Sequence, residues 1–233
     1  MMNESRCLIV GGSSGIGLAV AKQLQAEGAS VIIAGRSQEK LRSAAAQLAA
    51  ETLFAEVDAT DAQSVSALFE KLGKINHLIV TIKPSLPAGP FAENDIAIVQ
   101  AAFDAKFWGQ YRLAKAALPY LLPGGSIVLS SGIAACRSYP GYSAVSAMNA
   151  ATEALTRALA GELAPIRVNC VCPGFVNTSP PTQQRSEYVA RLVPDLPLAR
   201  PGYAQEIAQA YLYLLNSSYS TGSVLVVDGG ASC

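Results

Sequence analysis

Cys7-Leu-Ile-Val-Gly-Gly-Ser-Ser-Gly-Ile-Gly-Leu-Ala19 is the stretch that decides the fold. Cys7–Val10 is a short apolar run of the kind that forms a buried strand, and an amphipathic helical pattern begins at Ile16. Between them lies a glycine-rich turn. Gly11, Gly15 and Gly17 let the chain turn tightly and let its backbone approach a ligand closely. The helix behind the turn then offers unpaired N–H groups and a positive dipole end, the surroundings a pyrophosphate needs. Gly11, Ser13, Ser14, Gly15, Ile16 and Gly17 are therefore the candidate cradle. The spacing is G-x3-G-x-G, not the G-x-G-x-x-G of the general dinucleotide fingerprint. The bland alternative is a strand-to-helix turn with no ligand, and its place directly after the first strand argues against it.

Working outward, the same alternation continues. Strands are predicted at Cys7–Val10, Ser30–Ala34, Leu53–Val57, His77–Thr81, Ser126–Ser130, Arg167–Val171 and Val224–Val227. Helices are predicted at Ile16–Glu27, Gln38–Ala50, Ala62–Leu72, Asp95–Leu121, Tyr142–Leu163 and Ala204–Leu215. Strands joined through helices run parallel, and near-continuous apolar strands belong to a sheet covered on both faces. The predicted fold is a doubly wound α/β Rossmann-type domain, a seven-stranded parallel sheet spanning residues 1–233. There is no repeat, no low-complexity tract and no linker; the Pro/Ser/Gln-rich Asn177–Arg185 reads as a surface flap.

Composition excludes several classes. The 233 residues are 51% hydrophobic and carry 17 basic and 17 acidic side chains. High hydrophobicity rules out disorder, and the zero balance gives no broad attraction for nucleic acid or anionic lipid. No apolar run reaches a membrane-spanning length. Only 15% of residues are charged, against roughly 25% in ordinary chains, which points to apolar surface covered by another copy of the chain. Five cysteines, an odd number without a paired framework, read as free thiols in a reducing compartment. Cys170 and Cys172 form a C-x-C inside an apolar run with no nearby histidine, and read as core packing. Met1–Arg6 lacks the apolar stretch of a signal peptide, so the expected location is the cytoplasm.

The end of the second strand selects the nucleotide. A reader of a ribose 2′-hydroxyl carries Asp or Glu there; this chain has Ala34-Gly35-Arg36-Ser37. Arg36, with Ser37 beside it, can pair with a 2′-phosphate, and no neighbouring carboxylate in the sequence opposes it. The expected cofactor is NADP(H). The alternative is a solvated arginine at a strand end.

Taken together, these residues resemble the short-chain dehydrogenase/reductase family over essentially the whole chain. Gly11-x3-Gly15-x-Gly17 resembles its cofactor turn, and Asp58 in Val57-Asp58-Ala59 matches the residue that contacts adenine. Ser130-Ser131 ends the fifth strand as the family's catalytic serine does. Pro173-Gly174-Phe175-Val176-Asn177-Thr178 resembles the segment that holds the nicotinamide amide, and Thr221-Gly222…Val227-Asp228-Gly229-Gly230 resembles the C-terminal strand. The resemblance implies cofactor contacts at Gly11, Ser13, Ser14, Gly15, Ile16, Gly17, Arg36, Ser37, Asp58, Ala59, Thr81, Pro173, Gly174, Val176 and Thr178, and homotetramers or homodimers formed through the two long helices.

The catalytic core departs from the family. Its Tyr-x3-Lys is absent: anchoring on Tyr142 puts Ser146 at the lysine, and an ungapped match to Ala154-Leu155-Thr156-Arg157 puts Val145 at the tyrosine and Asn149 at the lysine. The second match is preferred, because an insertion within a buried helix is costly. The family's active-site asparagine, in Asn-x2-Gly, is here Lys106 in Lys106-Phe107-Trp108-Gly109. Asparagine and lysine have thus changed places, and the pocket would keep one cation and one amide. The alternative is coincidence, with Lys106 solvated. Tyr142 stands seven positions before Asn149, two helical turns, hence near the same face. It is either a working phenol or a rim residue. The family's Asn-Asn-Ala-Gly aligns with Val80-Thr81-Ile82-Lys83, so bulkier Ile82 and Lys83 either narrow the site or turn outward. Arg137 either binds an acidic substrate or is exposed, and the single histidine, His77, reads as structural.

The resemblance implies an NADPH-dependent oxidoreductase acting on a carbonyl or imine of a small molecule. Ser131 would bind the carbonyl oxygen, and Tyr142 or a water held by Lys106 and Asn149 would supply the proton. Two other readings stay open: an NADP(H)-binding protein without redox turnover, as a sensor or partner subunit, and a non-redox cyclase or isomerase on the same fold.

Overall fold

In the computed structural model, which describes residues 5–83, 89–178 and 183–233, one sheet collects strands from both halves of the chain. They are β1 (Arg6–Val10), β2 (Ser30–Gly35), β3 (Leu53–Glu56), β4 (Ile75–Val80), β5 (Leu121–Ser130), β6 (Arg167–Pro173) and β7 (Val224–Val227). Their spatial order is β3-β2-β1-β4-β5-β6-β7, and every neighbouring pair is parallel. The seven-stranded doubly wound sheet expected from the alternation is the one observed.

Side chains along each strand alternate between two cores. Cys7 and Ile9 join Val20, Leu24, Tyr211 and Leu215 on one face. Leu8 and Val10 join Phe69, Leu113, Ala117 and Val168 on the other. The first core lies beneath α1 (Gly15–Ala26), α2 (Gln38–Ala45) and the C-terminal α8 (Ala204–Asn216). The second lies beneath α3 (Ala62–Leu72), α5 (Gly109–Ala117) and α6 (Ser143–Glu162). Burial on both faces is why these strands read as unbroken apolar runs.

The chain leaves β1 toward β2 on one side and returns to β4 on the other. Val10 pairs with Ala34 in β2 and with Val80 in β4. This is the switch point of a doubly wound sheet, where a crevice opens at the carboxyl ends of the strands. The glycine-rich turn follows Val10 at that spot.

Several boundaries differ from the sequence prediction. The helix predicted over Gln38–Ala50 stops at Ala45, and β5 begins at Leu121, five residues early. The helix predicted as continuous over Asp95–Leu121 is interrupted. It consists of α4 (Ile96–Phe103), a π-helical turn (Asp104–Trp108), α5, and a 3-10 turn (Leu118–Tyr120). A π turn holds one residue more than an α turn, and apolar periodicity over a long window does not register it. Asp104 and Arg112 are 2.6 Å apart and clamp this turn to α5. The flap expected at Asn177–Arg185 is in part helical, since α7 covers Gln183–Leu192; residues 179–182 lie outside the described set. A two-residue ladder joins Val176–Asn177 to Gly202–Tyr203 beside the sheet.

Candidate active site

The glycine turn is shaped for a close-lying ligand. Gly11 has φ +91°, and a Cβ there would fall 2.7 Å from Thr81 Oγ1. A Cβ on Gly17 would collide with the Gly11 carbonyl oxygen. The turn, the start of α1 and Thr81 therefore pack backbone to backbone. At the head of α1, Ser14 is extended and its side chain makes no capping bond; no acidic residue stands in the first turn. The N–H groups and positive dipole end face outward without an internal anion. Thr178 reaches the turn from the far side: a Cβ on Gly15 would lie 3.2 Å from its methyl. This cradle fits the pyrophosphate of a dinucleotide.

The remaining expected cofactor residues ring the same edge. Arg36 is exposed at the end of β2. Ser37 instead caps α2, accepting from the Lys40 N–H at 3.3 Å. Asp58 lies within electrostatic reach of Arg36, and the two form no salt bridge among the described residues. Asp58 accepts from the Thr60 N–H (2.9 Å) and hydroxyl (2.7 Å), which, with the charge of Arg36, hold its carboxyl below the usual range. Ala59 is buried beneath Gly109. The Thr81 hydroxyl donates to the Val10 carbonyl at 3.2 Å, so it braces the turn. Ile82 packs into the second core and Lys83 is exposed, which answers the doubt about crowding: neither fills the glycine turn. Gly174 closes against Asp228 where a Cβ would lie 2.6 Å from its Cα, Pro173 ends β6, and Val176 is buried in the small ladder.

Lys106 sits inside the π turn with 5% exposure, and Asn149 on α6 with 2%. Their side chains meet. Lys106 Nζ donates to Asn149 Oδ1 at 2.6 Å and to the Ser131 carbonyl at 3.0 Å. Asn149 Nδ2 donates to the Gly132 carbonyl at 3.2 Å. The two exchanged positions thus form one hydrogen-bonded unit, and Lys106 is not solvated. Burial disfavours the ammonium and lowers its pKa to about 8, with the Cys170 and Cys172 thiols pulling slightly the other way.

Ser131 turns its carbonyl and its hydroxyl to different partners. Its carbonyl, not its hydroxyl, meets Lys106. The hydroxyl donates to Glu153 Oε1 at 2.9 Å, one helical turn along α6 from Asn149. Gly132 is the residue facing the pair: a Cβ there would lie 3.0 Å from Asn149 Nδ2. In this arrangement the Ser131 hydroxyl is engaged by Glu153.

Tyr142 is the N-cap of α6, half-buried, its ring edge-on to Tyr139 at 6.4 Å. Tyr139 packs on Phe175 at 5.4 Å, and its buried hydroxyl has no hydrogen-bond partner among the described residues. Arg137 is exposed, tied to the Ala231 carbonyl at 2.8 Å. His77 is buried, bonded to Ser126 at 2.8 Å, and burial lowers its pKa to about 4, so it is structural.

Behind the pair lies a polar scaffold that sequence reasoning passed over. Gln110 accepts from the Ser130 N–H at 2.9 Å and donates to the Ser130 carbonyl (3.2 Å) and Thr152 hydroxyl (3.3 Å). Ser130 donates to the Val80 carbonyl and lies 2.6 Å from the Tyr211 hydroxyl. The available signal was spacing: Gln110 follows Lys106 by four, one turn on the same helical face. This scaffold locks α5, β5 and α6 together behind the two exchanged residues.

A doubly wound sheet with a phosphate cradle at its switch point, beside a buried cation–amide pair, defines a dinucleotide-dependent oxidoreductase. Comparison with known proteins gives the family. A family model described as enoyl-(acyl carrier protein) reductase matches residues 10–232. The human 3-oxoacyl-[acyl-carrier-protein] reductase is 33% identical over 232 residues, 96% of each chain. A small-chain dehydrogenase solved in complex with NADPH superposes with a TM-score of 0.84 at 36% identity, covering 99% of both chains. The MalC reductase/Diels-Alderase from Malbranchea aurantiaca superposes at 0.91 with 29% identity, covering 99% of this chain and 96% of the other. The chain belongs to the short-chain dehydrogenase/reductase family, whose members are oxidoreductases using a nicotinamide dinucleotide.

Proposed function

We propose that the chain reduces a carbonyl or imine carbon of a small organic molecule with NADPH, and that Lys106 takes the place of the family's phenol as the proton source. The observation that carries this is the 2.6 Å contact between Lys106 and Asn149, two residues 43 positions apart. Bound NADPH supplies the hydride. The glycine turn and the head of α1 would hold its pyrophosphate and Arg36 would pair with the 2′-phosphate, while Thr178 flanks the turn. Asn149 and the Ser131 carbonyl fix the Lys106 ammonium by two of its three N–H bonds. The third is left for the developing alkoxide or amine, directly or through one water. A pKa near 8 keeps most of the group protonated at neutral pH and makes it a far better acid than a solvated lysine. Tyr142 is the second candidate donor.

The test is NADPH oxidation by the wild type, Lys106→Met and Tyr142→Phe against a panel of ketones and cyclic imines. Lys106→Met is expected to lose about 10²–10⁴ in rate, the usual worth of a positioned acid, while still binding NADPH. Undiminished turnover by Lys106→Met, or the same loss in Tyr142→Phe alone, overturns the assignment. A second reading rests on Ser131 and Val145: the Ser131 hydroxyl is bonded to Glu153 and Val145 has none, so a cyclase or isomerase that keeps NADP(H) unreacted fits the same site. It predicts tight NADPH binding with no oxidation by any member of the panel. Copies of the chain assemble in this reading through the face of α4, α5 and α6.

A further inference from the structure

We propose that Cys136, Glu153 and Cys172 form a binding site for a soft divalent cation of the zinc class. The three side chains come from different elements. Cys136 follows the 3-10 turn Ile133–Ala135, Glu153 stands on α6, and Cys172 lies near the end of β6. Their ligand atoms all lie within 4.8 Å of one another. The two sulfurs are 4.0 Å apart. Sulfurs bound at about 2.3 Å to one tetrahedral ion sit about 3.8 Å apart, so this spacing needs only a small adjustment. A disulfide would require the pair to close to about 2.05 Å.

The surroundings favour a cation over bare proximity. The Ser131 hydroxyl donates to Glu153 Oε1, which orients the carboxylate and leaves its other oxygen to coordinate. This gives that hydroxyl a use, having turned away from Lys106. Among the described residues Glu153 enters no salt bridge. Cys172 is fully buried and anchors the site, whereas Cys136 is exposed and leaves an approach from solvent and a fourth position for water. Binding expels two thiol protons to solvent and changes no oxidation state. Two thiolates and one carboxylate select zinc-like ions over magnesium or calcium. A bound ion would staple the turn after Gly132 to α6 and β6, and so steady the carbonyls that accept from Lys106 and Asn149.

The test uses the full-length reduced protein, stripped with a chelator and titrated with Co²⁺ as the probe. The expected result is one equivalent bound, with a thiolate-to-metal band in the near ultraviolet and intense visible bands of a tetrahedral ion, both lost on adding Zn²⁺. Cys136→Ser, at an exposed position that keeps the fold, should weaken binding by about tenfold or more, as should Glu153→Gln. Cys233→Ser, remote from the cluster, should bind like the wild type. Zn²⁺ should raise the thermal midpoint of the wild type and, at the same concentration, raise that of Cys136→Ser by less. Folded protein that gives no thiolate band, or a band undiminished in Cys136→Ser, overturns the site.

Discussion

Lys106 shows how burial sets chemistry at a single residue. Its folded pKa, about 8, lies below the 10.5 of a free lysine, so between these values the unfolded chain binds more protons than the folded one. Stability must therefore rise with pH across that window, and the penalty of burying the ammonium is complete below about pH 8. Urea unfolding of the wild type and Lys106→Met at pH 7 and pH 10 checks this. The wild type should gain on the variant by at most about 1.4 kcal/mol per pH unit inside the window. A gap that stays constant would show that Lys106 is not perturbed. Arg36 makes the second residue-level prediction. Arg36→Ala should weaken NADPH binding about tenfold to hundredfold, the worth of a charged hydrogen bond, and leave NADH binding unchanged. Titrations followed by energy transfer from protein fluorescence read both. The exchange of asparagine and lysine was legible in the sequence because it occupied two positions of known pattern. The direction of the Ser131 side chain was not, because two serines in a row at a strand end leave the register undetermined by one residue.

The element that matters most is the π-helical turn at Asp104–Trp108. It carries Lys106, and its extra residue sets the angle at which the side chain enters the core. Deleting Ala105 lets the segment close as an α-helix, keeps the flanking helices in register and removes the bulge that carries Lys106. The variant should retain helical circular dichroism and NADPH binding yet lose turnover as fully as Lys106→Met. Retained turnover would mean that the turn is incidental. A continuous helix was predicted here because the apolar spacing on either side matches one face, and a single inserted residue leaves that pattern almost intact. The strands, by contrast, were readable to within two residues at each end, save for the five-residue earlier start of β5. Seven apolar runs separated by helices leave little choice once both faces of the sheet are covered.

At the scale of the whole molecule, the order of strands follows from right-handed crossovers and places the glycine turn at the one crevice of the sheet. Only the fold and the cradle are fixed at this scale; the pocket wall is not, since it is built from loops rather than periodic elements. The surface predicts assembly. Trp108, 47% exposed, packs edge-on against Phe107 and Tyr111 on the outer face of the long helical segment, an aromatic cluster open to solvent. Light scattering should give a mass of two or four times 24.2 kDa, and Trp108→Glu should lower it. A monomer at micromolar concentration would contradict the covered-surface argument drawn from the low charge content.

The most direct test of Lys106 as the acid is the pH dependence of kcat/KM for NADPH-driven reduction of the best substrate in the panel. A donor that must be protonated predicts a plateau below about pH 8 and a fall approaching tenfold per unit above it, with that limb absent from the residual activity of Lys106→Met. A rate that stays level to pH 10, or the same falling limb in Lys106→Met, would contradict it.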